Sequence, residues 1–367
     1  MPTERPPDPP PLSAVRAADW SGAIPMHLSL ATESLSSTTR PMPVSLMVPR
    51  ASYLHVALRD EILRLHAFAP AASAMLTAGG GGGLVRRSAP SDDDEGDRGS
   101  EGNHVSEGGE QRIPVCWFED EETGLALRWH LFAGVLYDVG RGYHRPQKMP
   151  LPWRVRVHFT SYPTSQILSF DSAAGVAATV ERQYKNSLKQ ALFLEHGSAR
   201  VANGLSRAGH RRLWDAVSAT NSALYNDVNA DLQADGMGGD GGSSSADGGG
   251  DGGGAGSGPR NVPVRVILDG GLPMQRACPP HWGGGAGEGG MRPTALGDLL
   301  VDWLPDLFER RTEAGESVAG PIHPAIAWTI QGLDGVPLDF PVGGIWLAAC
   351  HPDHFLYVIV TSTKGLK

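Results

Sequence analysis

Residues Val176 to His196 read VAATVERQYKNSLKQALFLEH. Apolar side chains recur at Val180, Tyr184, Leu188, Ala191 and Leu192, the spacing of one stripe along a helix of about 3.6 residues per turn. At about 100° per residue, Lys189 points roughly opposite that stripe, with Lys185 and Arg182 beside it. The helix is therefore expected to bury one face and hold a basic row out on the other. Toward its end Phe193 and Leu194 complete the circumference with apolar groups, so this end is expected to lie under other parts of the fold. Spacing alone leaves a solvated basic face and a functional one both open.

Upstream, Ala23 to Leu30 (AIPMHLSL) and Met42 to Val48 (MPVSLMV) alternate like strands and are expected to pair as a hairpin. Ser52 to His66 sets Leu54, Leu58, Ile62 and Leu65 at helical spacing, with Ser52 as its cap. Ile113 to Glu119 and Leu125 to Trp129 are expected to form a second hairpin across an acidic turn, with Phe132 to Val139 as an apolar connector. Leu151 to Phe159 (LPWRVRVHF) alternates most clearly: Trp153, Val155, Val157 and Phe159 face one way, Arg154, Arg156 and His158 the other. That second face reads as solvated, or as a contact for a partner or anionic lipid. The order strand, strand, helix, strand, strand, strand carries no GxGxxG after a strand, which argues against a Rossmann domain. It suits a sheet wrapped over one helix, the β-grasp of ubiquitin-like folds.

Downstream, Leu168 to Leu232 reads as helical, with a break at His196-Gly197 and a further run, from Ala208, through Leu213, Trp214, Val217, Leu224, Val228 and Leu232. The first pattern then repeats. Val262 to Leu268 and Met274 to Pro279 read as strands, Thr294 to Glu309 as a helix ended or bent by Pro305, and Ile326 to Ile330 and Phe355 to Val360 as closing strands. The fold class is α+β: two ubiquitin-like β-grasp domains flanking a helix-rich domain, with an N-terminal helix and disordered Gly-rich insertions. The expected boundaries are a disordered terminus at 1–11, a helix at 12–21 with Ser13 as cap and Val15 and Trp20 as anchors, and a first ubiquitin-like domain at 22–163 interrupted by low complexity at 79–110. A helix-rich domain at 164–232, a Gly-rich linker at 233–260 and a second ubiquitin-like domain at 261–367 follow.

Net charge is −9 over 367 residues, unevenly spread. Gly79 to Glu110 holds eight acids and three arginines; Gln233 to Arg260 holds four acids and one arginine. The rest is nearly neutral, with nothing to attract nucleic acid. Three widely spaced cysteines, Cys116, Cys278 and Cys350, fit a reduced compartment. No apolar run approaches the roughly 18 residues of a membrane span, and the proline-rich start lacks a signal core.

Isolated enzyme-like patterns are weak. Cys350-His351-Pro352-Asp353-His354 has ligand chemistry, but Pro352 favours a turn and no second pair stands nearby, so no metal is expected. Gly204-Leu205-Ser206-Arg207-Ala208-Gly209 is one residue off a nucleophile elbow and lies in helical sequence. Cys116 sits in a strand and reads as core. No catalytic residue and no cofactor are expected.

Taken together, the elements resemble the autophagy protein 5 family. The resemblance rests on Trp20 with GAIPMHLSL, LMVPRASYL at 46–54, WFEDEETGLALRWHLFAGVLYD at 117–138, LPWRVRVHF at 151–159, NSLKQA at 186–191, RRLW at 211–214, ALGDLL at 295–300 and HPDHFLYVIV at 351–360, all in one order. It implies that Lys189, within NSLKQA, accepts the terminal glycine of the ubiquitin-like modifier autophagy protein 12 by isopeptide bond, with Lys185 one turn earlier as competitor. The amine would attack a thioester on a conjugating enzyme. A free lysine is protonated at neutral pH, with a reference pKa of about 10.4, so desolvation or neighbouring charge from Arg182 and Lys185 must help. The resemblance further implies a coiled-coil partner, autophagy protein 16, and an E3-like, non-catalytic role. Acting with the lipid-conjugating enzyme autophagy protein 3, the conjugate would promote transfer of autophagy protein 8 to phosphatidylethanolamine. It implies a cytoplasmic protein in peripheral contact with the preautophagosomal or phagophore membrane. The alternative is a non-conjugated ubiquitin-like scaffold that binds helical partner peptides.

Overall fold

The computed structural model describes residues 16, 20–35, 40–69, 112–143, 150–237, 260–282, 292–313 and 316–362. The expected disorder at 1–11 and 79–110 and positions 238–259 of the expected linker fall outside these residues, as do the proposed cap Ser13 and the anchor Val15. Arg16, Trp20 and Ser21 are helical, and the buried Trp20 ring lies 4.8 Å from that of Tyr225.

The first sheet contains β1 (Ala23–Leu30), β2 (Val44–Pro49), β3 (Trp117–Asp120) and β4 (Trp153–His158), in the order β2-β1-β4-β3. The β1–β2 hairpin is antiparallel from Ala23↔Pro49 to Leu28↔Val44, and β1 runs parallel to β4 from Met26↔Trp153 to Leu30↔Val157. Met26, Leu28, Trp153, Val155 and Val157 turn inward, as their alternation requires. The helix expected over Ser52 to His66 is two, α1 (Leu54–Ala57) and α2 (Arg59–His66), because the backbone leaves helical geometry at Leu58 (φ −105°, ψ 17°). Leu54, Leu58, Ile62 and Leu65 still reach the core. Ser52 is no cap: its hydroxyl donates to the Pro49 carbonyl at 2.8 Å.

The second expected hairpin forms only in part: the Asp120 amide donates to Leu125 O at 3.0 Å and the Leu127 amide to Phe118 O at 2.7 Å across the acidic turn. Leu125 to Trp129 makes a single bridge, Glu119↔Ala126, with Leu127 and Trp129 turned into the core, while β3 pairs along its length with β4. The apolar connector is a helix, α3 (Ala133–Tyr143), covered nearly all round, whose polar side is only the Asp138 and Arg141 pair one turn apart. His158 is sealed, not solvated, beneath the stacked ring of Trp117 at 3.8 Å between centroids, with Nε2 2.7 Å from the Glu119 carboxylate. Burial lowers its pKa despite that carboxylate.

Four helices make the middle: α4 (Gly175–His196), α5 (Arg200–Gly204), α6 (Arg207–Ser218) and α7 (Ser222–Met237). The run from Ala208 breaks at Thr220, which adopts φ 50°. The last helix continues past the expected limit at Leu232.

The second sheet repeats the plan of the first. Strands β5 (Val262–Leu268), β6 (Met274–Cys278), β11 (Ala327–Ile330), β12 (Leu333–Asp334) and β13 (Leu356–Thr361) run in the order β12-β11-β13-β5-β6, with the first and last long strands, β5 and β13, parallel at its centre. Between β6 and β11 lie the ribbons β7 (His281–Trp282) with β8 (Arg292–Pro293) and β9 (Phe308–Glu313) with β10 (Glu316–Pro321). The helix expected to reach Glu309 is shorter, α8 (Leu296–Trp303); it stops before Pro305, and Phe308 already belongs to β9. A further helix, α9 (Val342–Ala349), escaped the sequence pattern because VGGIWLAA has two glycines and no polar face.

Among the buried residues there are two large apolar clusters. One joins the first sheet, the middle helices and Ile267, Phe355, Tyr357 and Ile359 of the second sheet. The other, with Val262, Val264, Val266, Leu299, Trp346, Leu356, Val358 and Val360, is internal to the second domain. The pair β5–β13 is thus buried on both faces.

Candidate functional site

Helix α4 starts where Asp171 folds the chain: its Oδ1 accepts from the Ala173 and Ala174 amides at 2.9 and 3.2 Å. It ends at Gly197, which adopts φ 68° and donates to the Phe193 carbonyl at 2.8 Å, a left-handed cap that glycine enters without steric cost. The buried face is Val176, Thr179, Val180, Tyr184, Ser187, Leu188, Ala191, Leu192 and Glu195. The final turn differs from expectation. Leu194 packs half-buried against the core, but Phe193 is 52% exposed, one turn beyond Lys189.

On the outer face the two candidate amines differ. Lys185 is half-buried and engaged in an ion pair with Glu181. Lys189 is exposed and, among the described residues, holds no hydrogen bond or ion pair. Arg182 pairs with Asp171 at 2.8 Å, and that guanidinium, with the two amides, holds the Asp171 carboxyl below its usual range. The positive charges expected to assist Lys189 are therefore each answered by a carboxylate. Beside the lysines stands His210 of α6, whose pKa is lowered by burial first and by the Lys189 and Lys185 ammonium groups next.

The inner face is held by polar groups that the sequence did not assign. The Cys350–His354 segment is where they converge. Pro352 O accepts from the hydroxyls of Tyr184 and Tyr225 at 3.3 and 3.0 Å. Asp353 Oδ2 accepts from Ser187 at 2.6 Å, Tyr357 at 2.9 Å and Arg265 at 3.2 Å. His354, at φ 67°, sets Nδ1 3.2 Å from Glu195 and Nε2 2.7 Å from Asn229. Cys350 Sγ accepts from Arg16 at 3.0 Å, and His351 contacts Gln331. The ligand-like residues are thus taken up in joining β13 to the helices. Among the described residues no group of three or more such side chains could hold a metal.

Arg265 is the centre of this junction. It lies on β5, almost buried, with Nη1 2.6 Å from Tyr357 OH and 2.8 Å from Ser187 Oγ, Nη2 3.2 Å from Gln190 Oε1, and Nε 3.2 Å from Gln275 Oε1. Its guanidinium lies 3.7 Å from the Phe355 ring centroid. A charged residue interrupting VPVRVIL was the one signal in the sequence: a strand buried on both faces admits it only if it is fully partnered.

The remaining patterns resolve as structure. Ser206 caps α6 by accepting from the Gly209 amide at 3.0 Å. Cys116 is buried, which raises its pKa far above that of a reactive thiol. Arg156 pairs with Glu121 at 2.7 Å and Arg154 lies 3.7 Å from Glu122, so the outer basic face of the first sheet is balanced by its own acidic turn.

Comparison with known proteins gives a consistent match. Three family models align in order: "Autophagy protein ATG5, UblA domain" to residues 19–74 and 103–159, "alpha-helical bundle region" to 177–235, and "UblB domain" to 261–360. Autophagy protein 5 of Aspergillus terreus is 25% identical over 378 residues, covering 95% of this chain and 97% of that protein. Autophagy protein 5 of Phaeosphaeria nodorum is 26% identical over 237 residues, 60% of this chain and 63% of the relative's length. The crystal structure of Kluyveromyces marxianus Atg5 superposes with a TM-score of 0.58 at 17% identity, covering 95% of this chain and 99% of that one, and so shares its fold.

Proposed function

We propose, because this chain belongs to the autophagy protein 5 family, that Lys189 is the acceptor through which it is conjugated to the ubiquitin-like modifier autophagy protein 12. The observation that carries this reading is the contrast on one helix face: Lys189 is exposed and, among the described residues, unpaired, while Lys185 is paired with Glu181. In the step itself, the neutral amine attacks the thioester carbonyl on a conjugating enzyme, the C–S bond breaks, the C–N bond forms, and the cysteine leaves as thiolate. The amine's proton passes to solvent or to a group on the enzyme. With Arg182 and Lys185 already paired, desolvation against the docked enzyme is the means left to favour the neutral amine.

The chain then serves as a non-catalytic, E3-like subunit. With the coiled-coil protein autophagy protein 16, and through the lipid-conjugating enzyme autophagy protein 3, the conjugate promotes attachment of autophagy protein 8 to phosphatidylethanolamine. We place it in the cytoplasm and peripherally on the preautophagosomal membrane; among the described residues no helix is long and apolar enough to cross one.

Incubated with the modifier and its conjugating enzymes, the chain should run on a denaturing gel at the summed mass of both proteins. Lys189→Arg should remove that band, and Lys185→Arg should leave it. A band that survives Lys189→Arg but not Lys185→Arg would move the site. Absence of any band with the native chain would favour the non-conjugated scaffold that binds helical peptides.

A further inference from the structure

We infer that Arg265, reaching from the second ubiquitin-like domain to Gln190, is a positioning residue that fixes the roll of α4 and so selects Lys189 over Lys185; this rests on the acceptor reading above. Ser187 and Gln190 are one turn apart. At about 100° per residue they lie about 60° apart on the helix circumference, with Lys189 about 130° from their midpoint. The guanidinium holds both, at 2.8 Å to Ser187 Oγ and 3.2 Å to Gln190 Oε1. The packed face and the ties from Tyr184, Ser187 and Glu195 already limit the roll of α4; the two guanidinium contacts extend that restraint to the side of the helix next to Lys189.

The guanidinium is itself immobile. Asp353 and Tyr357 share Nη1 with Ser187, Gln275 takes Nε, and Phe355 lies against its plane. The roll of α4 is thus referred to β5, an element of another domain. Rotation matters because Lys185 and Lys189 are only about 40° apart on the circumference. A small roll would bring Lys185 to the bearing Lys189 now has. Gln190, adjacent to the acceptor, therefore acts inward, as the exposed end of the clamp, and is not a group that the conjugating enzyme reads.

The test uses the full chain in a single-turnover reaction with thioester-charged conjugating enzyme, with the branched peptides at Lys189 and Lys185 quantified by mass spectrometry. Gln190→Leu should slow attachment at Lys189 by about tenfold, the scale of one charge-assisted hydrogen bond, and raise the share at Lys185. Gln190→Glu, which keeps an acceptor oxygen for the guanidinium, should restore both rate and site. Gln190→Leu should melt slightly below the native chain, having lost that bond, and Gln190→Glu should melt with the native chain. Native rate in Gln190→Leu overturns the inference. So does Gln190→Glu as slow as Gln190→Leu, since the enzyme would then be reading Gln190 directly. Hydrogen exchange at the amides of 186–190 gives an arm that needs no conjugation: faster exchange in Gln190→Leu supports the clamp, and unchanged exchange overturns it. A native chain that forms no conjugate while exchange still responds would sink the acceptor reading and leave the clamp standing.

Discussion

The two ubiquitin-like sheets share one plan, a central parallel pair made by the first and last long strands, yet they treat charge on those strands in opposite ways. In the first, β4 sends Val155 and Val157 inward and leaves Arg154 and Arg156 toward water, where Glu121 and Glu122 answer them. In the second, β5 and β13 are covered on one face by their own domain and on the other by the helices, so Arg265 is almost buried. An arginine in an alternating strand is thus a solvated ornament in one domain and a fastening in the other. What separates the two cases is whether the outer sheet face is a surface or a seam. Surface pairs contribute little, while a buried charge that loses its partner is costly.

The sharpest way to break this comparison is Asp353→Ala, which leaves the Arg265 guanidinium beneath the helices without its carboxylate. It should destabilise the protein by about 3–5 kcal/mol, the cost typical of breaking a buried pair, read from the urea midpoint. A cost below that of an exposed pair would mean the seam is wet. A smaller effect is expected from Gly142→Ala, where α3 meets β13: an added Cβ would fall 2.6 Å from Thr361 Oγ1. Overpacking of this kind costs about 1–3 kcal/mol, and Thr361→Ala in the same chain should recover most of it. Full cost with no recovery would place the strain elsewhere.

The smallest effect concerns a carboxylate away from the seam. Asp298, in the second domain, accepts from Arg292 at 2.6 Å and from the Ala295 amide at 2.9 Å, and pairs with Arg310. Burial alone would raise its pKa, but these partners outweigh it and hold the carboxyl below its ordinary value. A carboxyl lowered in the folded state contributes stability that is complete above the unfolded pKa, near 3.9, and is lost as pH falls through the folded value. Asp298→Asn should therefore lower the urea midpoint at pH 7 and converge with the native chain in strong acid. Parallel pH curves for the two proteins would show that Asp298 is not coupled to folding.

Much of this was legible in the residues. The alternation of AIPMHLSL and LPWRVRVHF located β1 and β4 to within a residue or two, because a half-exposed strand must alternate. The stripe through Val180, Tyr184 and Leu188 located α4 and the side on which Lys189 stands. What failed did so where burial erases periodicity. Helix α3 is covered nearly all round, so its sequence resembled a connector. The segment Leu125 to Trp129 keeps a strand's alternation, with Leu127 and Trp129 inward, but its pairing with β3 is a single bridge. His158 continued the alternation of β4 and was read as solvated, although a ring from β3 closes over it. Phe193 went the other way, an apolar residue expected inside and found in water.

By itself the sequence determined the two grasp-like units, the helical middle and the helix face that carries Lys189, since each is a local pattern of apolar spacing that a chain must satisfy to hide its own core. The tertiary structure decided which charges are spent across the fold: Arg265, Asp353 and His354 hold one domain to another. The Lys185–Glu181 pair is a contact one helical turn long that local spacing does contain, but the contacts that tie Arg265, Asp353 and His354 to α4 reach across 75 to 166 positions, and no local spacing encodes them.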